Sequence, residues 1–559
     1  MKKRFLAGLL ALAMMLALAA CGGGSGSSAD TGSSAAAPAT QQDDGLPTLN
    51  SDIAIPTEEI AALMATSAQH DSLTLDAGKL NINPVKLYDS GTELYSMYEM
   101  LFQVAGGLGS EMRPTMADAD RGEFGGYDHE AGTNVYTFYI NDNIYDHDGN
   151  HFTASDAAFS FEKTREGGQV SGWDVVESWE AADDTTLVMT CSRELTGKGE
   201  LENIVLRCFM FTEKGYNDHN LTEEECGTGP YKLVSFESGA HVKMEKYPDY
   251  WQTDTAKMQR GQYATVDNIT VQYIVEDAQK VAALQTSTTN LSQNVPPAYI
   301  DQIKSDGFAM AKLPGNDVSY LECNMSENSV LSSDLNIRLA IFYAISSADA
   351  ATIMGSASNI PVYTLGCPVF PDYNAAWETW DNYQTSAGNL NKAKEYLGQS
   401  SYNGEELVIL CTSEKCAQFI QQVLQNIGIA CKISKQSSTI VTDILAAGTD
   451  WDLYVNSGVR ASDYVANLWS HVMNGSAFVG GTTEGRYDNA EYQQLLKNCL
   501  QLDATQEDMD AFWQATVDNA LVEGLYSPVT YIAYHGDEVS SLWLNDKSIF
   551  LPGAFVYTK

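Results

Sequence analysis

The chain has 559 residues, with 32 Lys and Arg against 73 Asp and Glu, a formal net charge of −41 at pH 7. A hydrophobic content of 44% supports several buried cores and excludes a disordered or low-complexity chain. The acidic balance excludes a duplex nucleic-acid binder and argues against adsorption to an anionic membrane, because no basic excess exists to meet phosphates. In chain order, Lys2, Lys3 and Arg4 precede the run Phe5–Ala20, apolar apart from Gly8. That is the charged and apolar pattern of an export signal, and it is too short for a comfortable membrane span. Residues 22–45 are mostly Gly, Ser, Ala, Thr, Asp, Gln and Pro. They bury too little to offset chain entropy, and a tether of this length reaches about 30 Å from its anchor.

The globular part opens with a short strand at Asp71–Gly78. A β-rich run, Val135–Ile140, leads into the turn Asp146-His147-Asp148-Gly149-Asn150, and Phe152–Phe159 reads as a loop entering a helix. Leu187–Thr190 is a strand, Cys226–Leu233 a glycine-rich turn delivering a strand, and Val242–Glu245 alternates as a half-buried strand does. From there the pattern becomes helix–strand alternation. Ile337, Ile341, Ala344 and Ile345 share a helical face, with Ser333 and Asp334 as candidate N-caps. Leu407–Cys411 predicts a strand. Phe419, Ile420, Val423, Leu424 and Ile427 predict a helix closed by Gly428, and Ile429–Ile433 the next strand. This strand–helix–strand unit predicts a parallel pair with a right-handed crossover. Leu495, Leu496 and Cys499 mark one late helix, Met509 to Leu521 another, and Val529–Tyr534 a last strand.

No nucleophile elbow, zinc-protease helix, phosphate loop or dinucleotide fingerprint occurs, so an enzyme is not expected and no cofactor or metal is. His147 and His151 lie near Asp146 and Asp148, but their composition is that of a turn bonding its own backbone. The ten cysteines include no CxxC. Disulfides and reduced buried thiols both remain open readings for the nine beyond Cys21.

The run Leu18-Ala19-Ala20-Cys21 before Gly22-Gly23-Gly24 resembles the bacterial lipobox, which implies lipid on Cys21 after removal of residues 1–20. Further on, Asn134–Ile140, Asp148-Gly149 and Phe152-Thr153-Ala154-Ser155-Asp156 resemble a signature of the family 5 extracellular solute-binding proteins. These are the oligopeptide-, dipeptide- and nickel-binding components of ABC importers. Gly227-Thr228-Gly229-Pro230-Tyr231 with Lys246–Trp251, Ile337-Arg338, Asn391–Leu397, Ile420–Ile429, and Trp451-Asp452-Leu453 with Ala461-Ser462-Asp463-Tyr464 are similar to further family segments in the same order. Two stretches depart from it: Ser287 and Asn290 stand where the family has Gly and Asp, and Val465-Ala466-Asn467 replaces an acid and Pro.

The resemblance implies an α/β, bilobal periplasmic-binding-protein-like fold with an extra inserted subdomain on the first lobe. The implied layout is a signal peptide (1–20), a lipidated Cys and flexible linker (21–50), first lobe (51–95, 223–316 and 521–559), inserted subdomain (96–222) and second lobe (317–520). It implies a monomeric receptor held by lipid on the outer face of the cell membrane, capturing short peptides between its lobes for an ABC permease. Asp463 would accept the ligand ammonium, Tyr464 and Trp469 would line the cleft, and Arg460 would meet a carboxylate. Arg338 reads as structural. A non-peptide solute such as an oligosaccharide, nickel or a metal chelate, and a receptor subunit for signalling, are the alternatives within this fold.

Overall fold

The computed structural model describes residues 46–47, 72–86, 91–104, 112–168, 170, 173–195, 197–313, 317–354, 359–364, 366, 370, 372–459, 465, 468–469, 487, 489–501, 504–541 and 556–557. The export segment, Cys21, Arg460, Asp463 and Tyr464 lie outside the described residues.

Strand β1 (Ser72–Ala77) turns Leu73 and Leu75 into a core, and the short helix α1 (Thr92–Met97) follows it. Next come β2 (Tyr127–His129), β3 (Val135–Tyr139), helix α2 (Ala154–Glu166), β4 (Val176–Asp183) and β5 (Thr186–Cys191). The four strands pair antiparallel in the order β2-β3-β5-β4. Helix α2 starts on a capping box, Thr153 N–H donating to Asp156 Oδ2 at 2.8 Å. Its Phe161 stacks on Trp179, 5.1 Å between centroids, inside a cluster that also holds Phe138 and Trp173. This sheet has a core of its own.

The chain then adds β6 (Tyr231–Glu237), β7 (His241–Lys246), β8 (Asn268–Tyr273), β9 (Leu291–Ser292) and β10 (Ala309–Leu313) around β1. It crosses to a second sheet with β11 (Val318–Cys323) and helix α3 (Leu335–Ala344), whose N-cap Asp334 accepts from Asn336 N and Ile337 N. There follow β12 (Ile360–Pro361), β13 (Leu407–Cys411), α4 (Glu414–Ile427), β14 (Cys431–Lys435) and β15 (Leu453–Val459). Helices α5 (Ala490–Cys499) and α6 (Gln506–Asp518) precede β16 (Val522–Ser527), and β17 (Thr530–Tyr534) returns to the first sheet. The first sheet runs β10-β17-β9-β1-β8-β7-β6 and the second β12-β16-β11-β15-β13-β14. Each large sheet packs its own hydrophobic cluster.

The predicted parallel unit is present, with Leu407 opposite Cys431 in β13 and β14. Its second strand begins two residues later than the alternation suggests. Gly428, at φ 96°, ends α4 in the left-handed region, and Ile429 N–H folds back to Leu424 O, so Ile429 still belongs to the cap. Val522–Ser527 pairs with β11, and the sheets change at Pro528, which has no N–H to give a ladder. Upstream, the tether is already engaged by Pro47, whose carbonyl accepts from Lys312 N at 2.9 Å along the outer edge of β10. The eight described cysteines beyond Cys21 are free and buried, which favours the thiol reading for them.

Candidate functional site

Two adjacent crossings join the lobes, β10 to β11 and β16 to β17. The registers fix which strand ends lie there. In the first sheet β9 is antiparallel to β17 and parallel to β1, and β1 is parallel to β8, so β8, β1, β9 and β10 all run toward the crossings. In the second sheet β15 and β16 are antiparallel to β11, and β13 and β14 follow β15. Four carboxyl ends of that sheet therefore meet the same edge. Open α/β sheets bind ligands outside their carboxyl strand ends, where the topology switches. Strand β15 reaches this edge with Val459 opposite Val318, the first residue of β11. Arg460, Asp463 and Tyr464 come directly after it in sequence.

Several polar groups stiffen this edge. At the end of β1, buried Asp76 accepts from Ser292 Oγ and Gln293 N, both at 2.8 Å, while burial raises its carboxyl above the usual range. In the second lobe Asn456 Nδ2 donates to Tyr320 Oη at 3.2 Å, and Ser319 Oγ to Asn456 O at 2.7 Å. Asn359 holds the return crossing, accepting from Val529 N at 3.2 Å and donating to Ala351 O at 3.2 Å. Val465 N donates to Asp372 Oδ1 at 2.7 Å, just beyond the 460–464 segment. Trp469 is fully buried and clusters with Trp377 at 5.8 Å and Trp513 at 5.2 Å, with Phe512 at 4.6 Å. Its ring belongs to the core of the second lobe.

The junction between inserted subdomain and first lobe holds groups that sequence reasoning passed over. Glu99 is buried and accepts from Tyr250 Oη (2.7 Å), Trp251 Nε1 (2.7 Å), Gln262 Nε2 (2.9 Å) and Thr228 Oγ1 (3.2 Å). Burial raises its carboxyl, and the four donors oppose that shift. Its signal was a lone acid inside the apolar run Met97–Phe102. The Gly227-Thr228-Gly229 turn packs on the end of α1 so closely that a Cβ on Gly227 would lie 1.9 Å from Met97 O. The Asp146 turn bonds its own backbone as expected, Oδ1 accepting from Asp148 N and Asn150 N. Among the described residues no group of three or more His, Cys, Asp or Glu is placed to hold a metal ion.

Residues 112–476 match the family model described as Bacterial extracellular solute-binding proteins, family 5 Middle. The chain belongs to this family. The glutathione-binding protein GsiB of Pectobacterium atrosepticum is 23% identical over 360 residues, 62% of this chain, and the match spans 64% of the length of that relative. A putative peptide binding protein AppA from Clostridium difficile superposes with a TM-score of 0.71 at 19% identity, covering 88% of this chain and 100% of that one. The binding protein DppA from Helicobacter pylori, in complex with the peptide STSA, gives 0.67 at 20% identity, covering 89% and 100%. These likenesses show the fold: an α/β, bilobal periplasmic-binding-protein architecture. The family 5 resemblance read from the ordered segments thus holds. Among the described residues of this family 5 protein, no helix is long and apolar enough to cross a membrane.

Proposed function

We propose that this family 5 protein is the exported solute receptor of an ABC importer, anchored through lipid on Cys21, and that it binds short peptides at the crossover edge. The observation that carries this reading is the shared edge of the two sheets, where carboxyl strand ends from both lobes face one another across two short crossings. In this reading Asp463 accepts the ligand α-ammonium in a charge-assisted pair, Tyr464 lines the cleft and Arg460 meets a carboxylate. Trp469 packs among three rings of the second lobe and supports this edge from its core. The closed receptor then delivers its solute to a membrane permease. The match to glutathione-binding relatives favours a second reading within the same chemistry, because glutathione also carries an α-ammonium and carboxylates.

A thermal-shift screen of tri- to pentapeptides, their N-acetylated forms and glutathione tests the reading. A ligand at 100 times its dissociation constant adds about 2.7 kcal/mol of stability. Asp463→Asn removes the charge and keeps the shape, so it is expected to weaken free peptides by about 2–5 kcal/mol. N-acetylation should weaken wild type similarly, with the two losses far from additive. Equal binding of acetylated and free peptides would sink the ammonium role. Anchoring has its own check, since Cys21→Ala should abolish lipid labelling.

A further inference from the structure

Two histidines outside the crossover edge share an unusual bonding pattern. His147 Nδ1 lies 2.7 Å from Glu225 Oε1 and its Nε2 lies 2.9 Å from Gly229 O. A carbonyl only accepts, so Nε2 carries a proton. In a neutral ring the bare Nδ1 would then face a carboxylate at contact distance, lone pair against lone pair. With Glu225 ionised, only the imidazolium satisfies both neighbours. His219 repeats the arrangement, with Nε2 2.6 Å from Asp148 Oδ2 and Nδ1 3.2 Å from Glu224 Oε2.

Both contacts span two cores. The 146–151 loop is flanked by Ile144 and Phe152, which pack with the four-stranded sheet. The 219–229 segment carries Leu221 and Cys226, which pack with the first large sheet, so by its packing this segment, His219 included, goes with the core of the first lobe. His147 N–H also donates to Gly227 O at 2.9 Å, so loop and turn are already in register. We infer that His147 and His219 form a proton-operated latch between the inserted subdomain and the first lobe, closed while each ring carries two protons and loosened when the rings lose one.

The groups facing these rings keep the positive charge in place. Around His147 stand Glu225 and Asp146, with the Tyr247 ring edge-on at 4.7 Å. The Asp146 carboxylate is held by Thr212 Oγ1 and the turn backbone. The buried Cys226 thiol, pushed up by burial, stays uncharged beside Glu225. Around His219 stand Asp148 and Glu224, and Asp218 lies close enough to feel its charge while pairing with Lys214. Burial pulls His147 down, yet Glu225, the Gly229 carbonyl and Asp146 together outweigh it and the ring is held above its usual 6.5; the hydrogen bond to Asp148 is the main cause raising the more exposed His219. Glu225 is held below its usual 4.5 against its own burial by the His147 charge. The sign follows. The histidine contribution is complete below the unfolded value near 6.5 and is lost as pH rises through the raised folded values. On the acid side the latch opens only when pH falls through the lowered value of Glu225.

Amide hydrogen exchange on the full chain tests this. Protection factors of residues 144–152 and 219–229 should fall by about tenfold or more between pH 6 and pH 9, relative to β1 as control. His147→Gln keeps one donor but cannot titrate, so it should flatten this step, and His219→Gln should reduce it. Ring nitrogen shifts of wild type at pH 6 should show both imidazoles doubly protonated, a readout that survives if either variant fails to fold. A neutral His147 at pH 6, a pH-independent junction in wild type, or an unchanged step in His147→Gln would each overturn the latch.

Discussion

Glu523 is fully buried on β16, and neither of its carboxyl oxygens meets a donor among the described residues. Burial alone raises its proton affinity far above the usual 4.5. A carboxyl easier to ionise in the unfolded chain makes stability highest below that unfolded value and lower as pH rises through and above it. Glu523→Leu removes the titration and the unmet polar atoms. It is expected to stabilise the second lobe by about 1–3 kcal/mol at pH 8 and by little at pH 4.5. Denaturant titrations at the two pH values decide the matter; equal destabilisation at both would mean the side chain serves its packing instead. Gly227 makes the opposite point about size. Its missing Cβ leaves room for the Met97 carbonyl, so Gly227→Ala should cost about 1–3 kcal/mol by overpacking, seen as a drop in melting temperature.

At the scale of elements, Arg338 ties α3 to its surroundings. Its guanidinium donates to Leu331 O, to Ser332 O at 3.4 Å and to Asn519 O at 3.1 Å, just past the end of α6. Arg338→Met would strand these carbonyls and should cost about 1.5–3 kcal/mol, with Arg338→Lys recovering only part of it. The structural reading of this residue came from one charge on an otherwise apolar face. Elements of that local kind were legible: α4 with its Gly428 cap and the parallel strands beside it. Strands β11 and β16 were not. Val318–Cys323 and Val522–Ser527 are buried on both faces, so they lack alternation, and each hides a glutamate. Pairings across long separations were equally hidden. His147 meets Glu225 78 residues away, and spacing gives no hint of it. Ring partners were hidden in the same way, because a sequence cannot distinguish a ring facing a ligand from one facing Trp513. The segment holding Arg460, Asp463 and Tyr464 was reached only through the strand that leads to it.

For the molecule as a whole, two large sheets linked by two short crossings favour hinge motion about those crossings. A ligand touching both lobes should shift the population toward closure, and the radius of gyration from small-angle scattering should fall on adding a binding peptide. An unchanged radius at saturation would count against the hinge. The strand order carries one more consequence, in the timing of assembly. All strands of the second sheet lie between residues 318 and 527, so its core can form once Ser527 has emerged. The first sheet cannot finish then. Its seat between β10 and β9 stays empty until Thr530–Tyr534 arrives, more than two hundred residues after β10 was made. Throughout that interval two open strand edges stand exposed, and edges of that kind recruit other chains. The lobe begun first is thus completed last, and Thr530–Tyr534 serves as the keystone on which its solubility before closure depends.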